Sequence, residues 1–238
     1  MLAYLDDHFV PEKEAKIPIT DRGFLFGDGV FTTVKVENGK PVWLDDHLAK
    51  LEKEAAKINL LFPKIDQEVI YSLIEQNAMP EARLKILLTG GDDKALFLPK
   101  RKGRLLITMA PMAPCKKELL VTTHTLPSFP GKTLSLLPRL FMKERIAPYD
   151  DCIVLNEEGE VLEMAFGNIY WILDEEIFTP DPRLPIYFGV SIERFCREKK
   201  VRFTRTKLRS IPQEARFFRL NAISGSTTVR GVEVGRSL

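Results

Sequence analysis

Polar and apolar positions alternate along most of this chain and step by three and four in only a few stretches, so strands are expected to outnumber helices. Residues 30–36 (VFTTVKV) alternate, ENGK at 37–40 supplies an Asn-Gly hairpin turn, and PVWL answers as a second strand. Leu44, Leu48, Leu51, Ala55 and Ile58 then form a helical stripe, with Asp45 or Asp46 as its expected cap. A second helix is expected after Asp66, where Val69, Ile70, Leu73 and Ile74 share one face. RLKILLTGG (83–91) and GRLLITMAP (103–111) read as buried strands joined by a loop containing DDK.

APMAPCKKE (110–118) has the prolines and charge of a connector. Beyond it, ELLVTTHTL reads as a strand, CIVLNEEGEVLEM as a hairpin turned at Asn156 to Gly159, and IYWILDEEIFTP as another. GVSIERFCREKK (189–200) reads as a helix, VRFTRTKL as a strand, and FRLNAISGSTTVRGVEV as a closing strand and turn. The pattern is α+β, with a small N-terminal domain over 1–110, a linker over 111–118 and a larger C-terminal domain over 119–238. No internal repeat or low-complexity tract interrupts it.

Composition agrees with a packed core: 45% of residues are apolar and 29% charged. The net charge is +2 with both signs interspersed, and the densest basic run, RKGR at 101–104, is too short to argue for nucleic acid. Cys115, Cys152 and Cys196 are scattered and lack CxxC spacing, which fits a reducing compartment and leaves no disulfide framework. His8, His47 and His124 are equally dispersed, so no metal site is expected. The N-terminus has neither the apolar run of a signal peptide nor a membrane span, and a cytoplasmic location is expected.

Four stretches, taken in order, say more: DRGFLFGDGVFTTVKV (21–36), HLAKL (47–51), KTLSLL (132–137) followed by EMAFGNIYW (163–171), and FGVSIER (188–194). Together they resemble the class IV pyridoxal-phosphate-dependent aminotransferase family, which includes branched-chain and D-amino-acid aminotransferases and an aminodeoxychorismate lyase. The resemblance spans nearly the whole chain. It implies the two-domain α+β architecture of fold type IV, pyridoxal 5'-phosphate as cofactor, a small-molecule substrate and a twofold homodimer.

Residue by residue, the resemblance makes Lys132 the amine that holds the cofactor and moves a proton at the substrate carbon. It makes Glu163 the carboxylate beside the pyridine nitrogen, opening an E-x-x-x-x-N segment that ends at Asn168. Gly189, Val190 and Ser191 match the phosphate cup, with serine in place of threonine, at the start of a predicted helix where free N–H groups favour an anion. Tyr187 aligns with a residue packed on the cofactor ring, although core packing explains it equally well. Lys50 stands where the family carries an arginine, and a lysine grips phosphate as a point charge rather than through a fork. Each residue also has an ordinary use: solvated lysines at 50 and 132, a strand-end charge at 163, a plain helix start at 189–191. One feature is independent of the resemblance: Glu163 shares a strand face with Val161, putting a carboxylate where an apolar side chain belongs.

The choice within the family turns on the opening strand and the last turn. Alternate residues Phe31, Thr33 and Lys35 correspond to positions that face the substrate, and FTTVK resembles the lyase branch. NAISGSTTV (221–229) resembles that branch too, and implies that backbone groups of Ala222 and Ile223 face the phosphate or a substrate carboxylate. Lys35 and Lys94 would suit a dicarboxylate. The expected activity is elimination of pyruvate from aminodeoxychorismate to give 4-aminobenzoate for folate synthesis. The alternatives are an aminotransferase acting on a branched-chain or D-amino acid, or a family member with degraded activity, for which Lys50, Ser135 and Gly90 are departures from the pattern. The relatives continue into a further helix beyond RGVEVG, so the C-terminal domain is expected to be shortened.

Overall fold

One dry face explains the alternation at residues 30–36. The structure, a computed structural model, describes residues 1–93, 95, 101–125 and 131–233. By its internal contacts the chain divides into Met1–Ala113 with Lys132–Leu136, and Pro114–Gly131 with Leu137–Leu238.

In the first unit, β1 (Leu2–Leu5), β2 (His8–Pro11), β3 (Gly29–Glu37), β4 (Lys40–Pro41), β6 (Ala82–Thr89) and β8 (Arg104–Pro111) form an antiparallel sheet in the order β2-β1-β8-β6-β3-β4. The short strands β5 (Leu60–Leu61) and β7 (Arg101–Lys102) pair separately. Helices α2 (Leu44–Lys57) and α3 (Gln67–Gln76) supply Leu51, Ala55, Ile70 and Leu73 to a core shared with Val30, Val34 and Val36. Strand β3 therefore turns Phe31, Thr33 and Lys35 to the opposite face, as its period of two requires. A five-residue helix, α1 (Arg22–Phe26), precedes it, capped by the Asp21 side chain and closed by Gly27 in the left-handed region.

The second unit is an eight-stranded mixed sheet. Its strands are β9 (Glu118–Thr125), β10 (Asp151–Leu155), β11 (Val161–Met164), β12 (Asn168–Leu173), β13 (Glu176–Pro180), β14 (Val201–Thr204), β15 (Arg216–Asn221) and β16 (Gly225–Glu233), in the order β11-β10-β9-β16-β15-β12-β13-β14. Strand β10 is apolar after Asp151 because both of its faces are covered. Ile153 packs with Leu119, Val121 and Trp171, while Cys152 and Val154 pack with Met142 and Ile146, the latter two from α4 (Leu137–Arg145) and the residue just beyond it. Helix α5 (Val190–Glu198) buries Ile192 against Tyr170 and Leu220.

Several expectations need correction. Trp43, not an aspartate, is the N-cap of α2, and Asp45 and Asp46 lie in its first turn, where they favour the helix dipole without capping it. The strand expected at PVWL is only Lys40–Pro41, because Trp43 turns left-handed at φ 55° to start the helix. The Leu2–Pro11 hairpin, turned by Asp6 and Asp7 at positive φ, and the helices α1 and α4 were not expected.

Candidate active site

Lys132 is held by backbone pairing, not by a helix or a sheet strand. The N–H of Phe31 donates to the Lys132 carbonyl at 3.2 Å, and the N–H of Leu134 donates to the Gly29 carbonyl at 3.0 Å. The segment thus lies along the first residues of β3, beyond the reach of the short neighbour β4, which pairs only with Val36 and Glu37. The close approach is possible because Gly27 and Gly29 lack side chains. A Cβ on Gly27 would stand 2.5 Å from Ser135 Oγ, and one on Gly29 would stand 2.6 Å from Leu134 Cδ1. Asp28, bracketed by those glycines, is the acid of a charged cluster, taking Arg22 Nε and Arg101 Nη2 at 2.6 Å each.

Lys132 Nζ lies 4.9 Å from the centre of the Phe31 ring, and Lys85 Nζ lies 4.5 Å from the same ring, both within cation–π reach. Lys85 was missed in the sequence. The register of β6 pairs it with Thr33, so it shares the face of Phe31, Thr33 and Lys35. Partial burial holds its ammonium below the usual lysine range. Lys35 is half-buried and ion-paired with Glu37. On α2, His47 is buried, its Nδ1 is 2.7 Å from the Thr32 hydroxyl, and its Nε2 has no hydrogen-bond partner among the described residues. Burial, and next the Lys132 charge, push its imidazolium down to about 4. Lys50 follows on the same helix, half-buried. Lys94 lies outside the described residues.

In the second unit, Glu163 is buried on β11. Arg139 of α4 donates from Nη2 to Glu163 Oε1 at 3.2 Å and from Nη1 to the Ala165 carbonyl. Desolvation raises the Glu163 carboxyl to about 7, against the lowering pull of Arg139 and of the Tyr187 backbone N–H. Asn168 fixes the approach to α5. Its amide donates to the Tyr187 carbonyl at 2.7 Å, and its Oδ1 accepts from the Gly189 N–H at 3.3 Å. The Tyr187 ring is half-buried, and a Cβ on Gly189 would come within 3.2 Å of it.

These residues suit pyridoxal phosphate. Ser191 Oγ is buried with no partner among the described residues, in the first turn of a helix whose opening N–H groups have no intrahelical acceptors. A phosphate supplies acceptors for both. A buried carboxylate with a guanidinium to balance it suits a ring nitrogen that carries a proton. At the last turn, Asn221 Oδ1 takes the N–H groups of Ile223 and Ser224 at 3.1 and 2.8 Å. The Ile223 N–H is thus bonded within the loop, and Ala222 sits half-buried at the start of the turn.

The mixed eight-stranded sheet and the antiparallel six-stranded sheet are those of fold type IV pyridoxal-phosphate-dependent enzymes. The model of class IV aminotransferases matches residues 29–232, and the chain belongs to that family. It is 27% identical over 206 residues, 80% of this chain and 70% of the other, to a Methanocaldococcus jannaschii protein provisionally assigned as a branched-chain-amino-acid aminotransferase. It is 27% identical over 214 residues, 83% of this chain and 73% of the other, to the aminodeoxychorismate lyase of Bacillus subtilis. Its fold matches a hypothetical aminotransferase from Mycobacterium tuberculosis in its PLP-bound form, with TM-score 0.86, 15% identity and coverage of 98% and 91% of the two chains.

Proposed function

We propose that this chain is a pyridoxal-phosphate-dependent aminodeoxychorismate lyase that releases pyruvate and leaves 4-aminobenzoate. The observation that carries the reading is the Phe31 ring flanked by the ammonium groups of Lys85 and Lys132 at 4.5 and 4.9 Å. Ammonium groups at this surface attract the carboxylates of a substrate, and Lys85 and Lys35 share the strand face of Phe31. Phe31 offers no hydroxyl to compete for the substrate's polar groups. Similarity to the Bacillus subtilis lyase supports the same choice.

When bound, the cofactor supplies an electron sink next to the substrate's amine carbon. Lys132, Glu163, Asn168 and Gly189 to Ser191 would hold it, with Lys50 as a further cation and Tyr187 beside it. Lys132 takes the proton from C4 of the substrate. The C4–H bond and the ether bond at C3 break, the ring double bond forms, and the proton ends on the departing enolpyruvate, which becomes pyruvate. No oxidant is needed.

Similarity to the Methanocaldococcus jannaschii protein favours a second reading, amino-group transfer from a branched-chain amino acid. Incubation with aminodeoxychorismate, and separately with amino acids plus 2-oxoglutarate, tests the two. Pyruvate and 4-aminobenzoate in the first assay are expected, and turnover only in the second rejects the lyase. Borohydride reduction of the loaded enzyme is expected to tag the peptide containing Lys132. A homodimer and a purely small-molecule substrate belong to the same proposal. Among the described residues no metal-ligating cluster is present, and no helix is long and apolar enough to cross a membrane.

A further inference from the structure

We propose that Arg139 is a positioning residue for Glu163, gripping the carboxylate with one guanidinium nitrogen while the other is anchored on the Ala165 carbonyl. The fork spans the end of β11, so it fixes the direction of the carboxylate as well as its charge. Arg139 is two-thirds covered on a helix whose Leu137, Leu140 and Phe141 are exposed. A cation long enough to reach water is therefore turned inward, onto a buried acid.

The groups that face Glu163 come from each surrounding element. Arg139 reaches it from α4, and the Tyr187 N–H comes from the loop before α5. Asp151 of β10 adds a repelling charge and is itself paired at 3.2 Å with Arg219 of β15. Burial opposes ionisation of Glu163, and Arg139 is the larger of the two influences that favour it. With the arginine in place the charged and neutral carboxyl are balanced near pH 7, and without it the neutral form prevails there. The consequence rests on the reading that Glu163 meets the pyridine nitrogen. A carboxylate accepts a hydrogen bond from a protonated nitrogen, whereas a neutral carboxyl donates one to an unprotonated nitrogen. Arg139 thereby selects the protonation state that the ring nitrogen finds.

The test is an infrared pH titration of the full-length, cofactor-free protein, in which the carboxyl band lost in Glu163→Gln identifies the residue. The midpoint in Arg139→Gln is expected to rise by about one pH unit or more. Arg139→Lys, which keeps the charge and loses the fork, is expected to rise by less. A midpoint at the wild-type value in whichever of these variants folds overturns the proposal. The titration is independent of the cofactor reading. A shifted midpoint alongside unchanged pyridoxal-phosphate affinity in Glu163→Gln supports the role of Arg139 and removes the pyridine reading alone.

Discussion

At the scale of single residues, two buried titratable groups give the molecule opposite responses to pH. The Glu163 carboxyl is raised to about 7 by desolvation, so the stability it permits is complete below its unfolded value, near 4.5, and is lost as pH rises through 7. His47 runs the other way. Its imidazolium is pushed down to about 4, so its share of stability is complete above 6.5 and is lost as pH falls through 4. Glu163→Gln in the cofactor-free protein is therefore expected to match wild type near pH 4 and to exceed it by roughly 3 kcal/mol at pH 8, measured as urea unfolding. Loss of stability below pH 6 should persist in that variant, since His47 is untouched. Lys132 and Glu163 were legible in the sequence because they stand in an ordered set of motifs. Lys85 and Arg139 were not. A lysine inside RLKILL and an arginine inside LPRLF look like solvated charges until register and the helix bring them to Phe31 and Glu163.

At the scale of elements, GDG at 27–29 answers to close packing. Gly27 ends α1 at φ 65°, and Gly29 starts β3 where a Cβ would meet the Leu88 carbonyl at 2.5 Å and Leu134 at 2.6 Å. The two glycines let the Lys132 segment lie along β3. Gly29→Ala must push back either β6 or that segment, and overpacking of this kind costs about 1–3 kcal/mol. The flexible Leu134 side and the short segment yield more easily than a strand paired along its length. Gly29→Ala is thus expected to keep wild-type far-ultraviolet circular dichroism while losing most of its pyridoxal-phosphate absorbance. Full loading would show that the segment does not depend on that approach. Most of the longer strands were readable, because alternation survives wherever one face is dry, as in β3 and β8, whereas the four-residue strands β1 and β2 were too short to read. Helices were less so. α2, α3 and α5 carry clear stripes, but the apolar side of α4 formed by Leu137, Leu140 and Phe141 is exposed while Met142, off that side, is buried, so its pattern does not mark the buried face. The short α1 offers too few residues for any period.

At the scale of the whole molecule, that unread helix bears on assembly. Leu137, Leu140 and Phe141 are 61%, 56% and 53% exposed and fall at i, i+3 and i+4, one side of α4, while Phe24, Leu25 and Phe26 of α1 are exposed as well. Scattered apolar residues on a surface mean little, but contiguous ones on successive helical turns are the composition of a buried contact. The occupant proposed for the α4 face is a second copy of this chain, in the twofold arrangement that the family resemblance implied, where one patch serves both partners. A self-complementary patch doubles the effect of a single change, since each substitution appears twice across the axis. Phe141→Glu would bring two carboxylates into an apolar contact and should convert a dimer into a monomer in size-exclusion chromatography with light scattering. Its side chain is exposed within one chain, so the isolated fold should keep its unfolding midpoint. A monomeric wild type, or a dimer indifferent to Phe141→Glu, rejects this face as the contact. If the variant is monomeric and also loses pyridoxal phosphate, then assembly and cofactor retention are linked, and adding cofactor should shift wild type further toward the dimer by mass action.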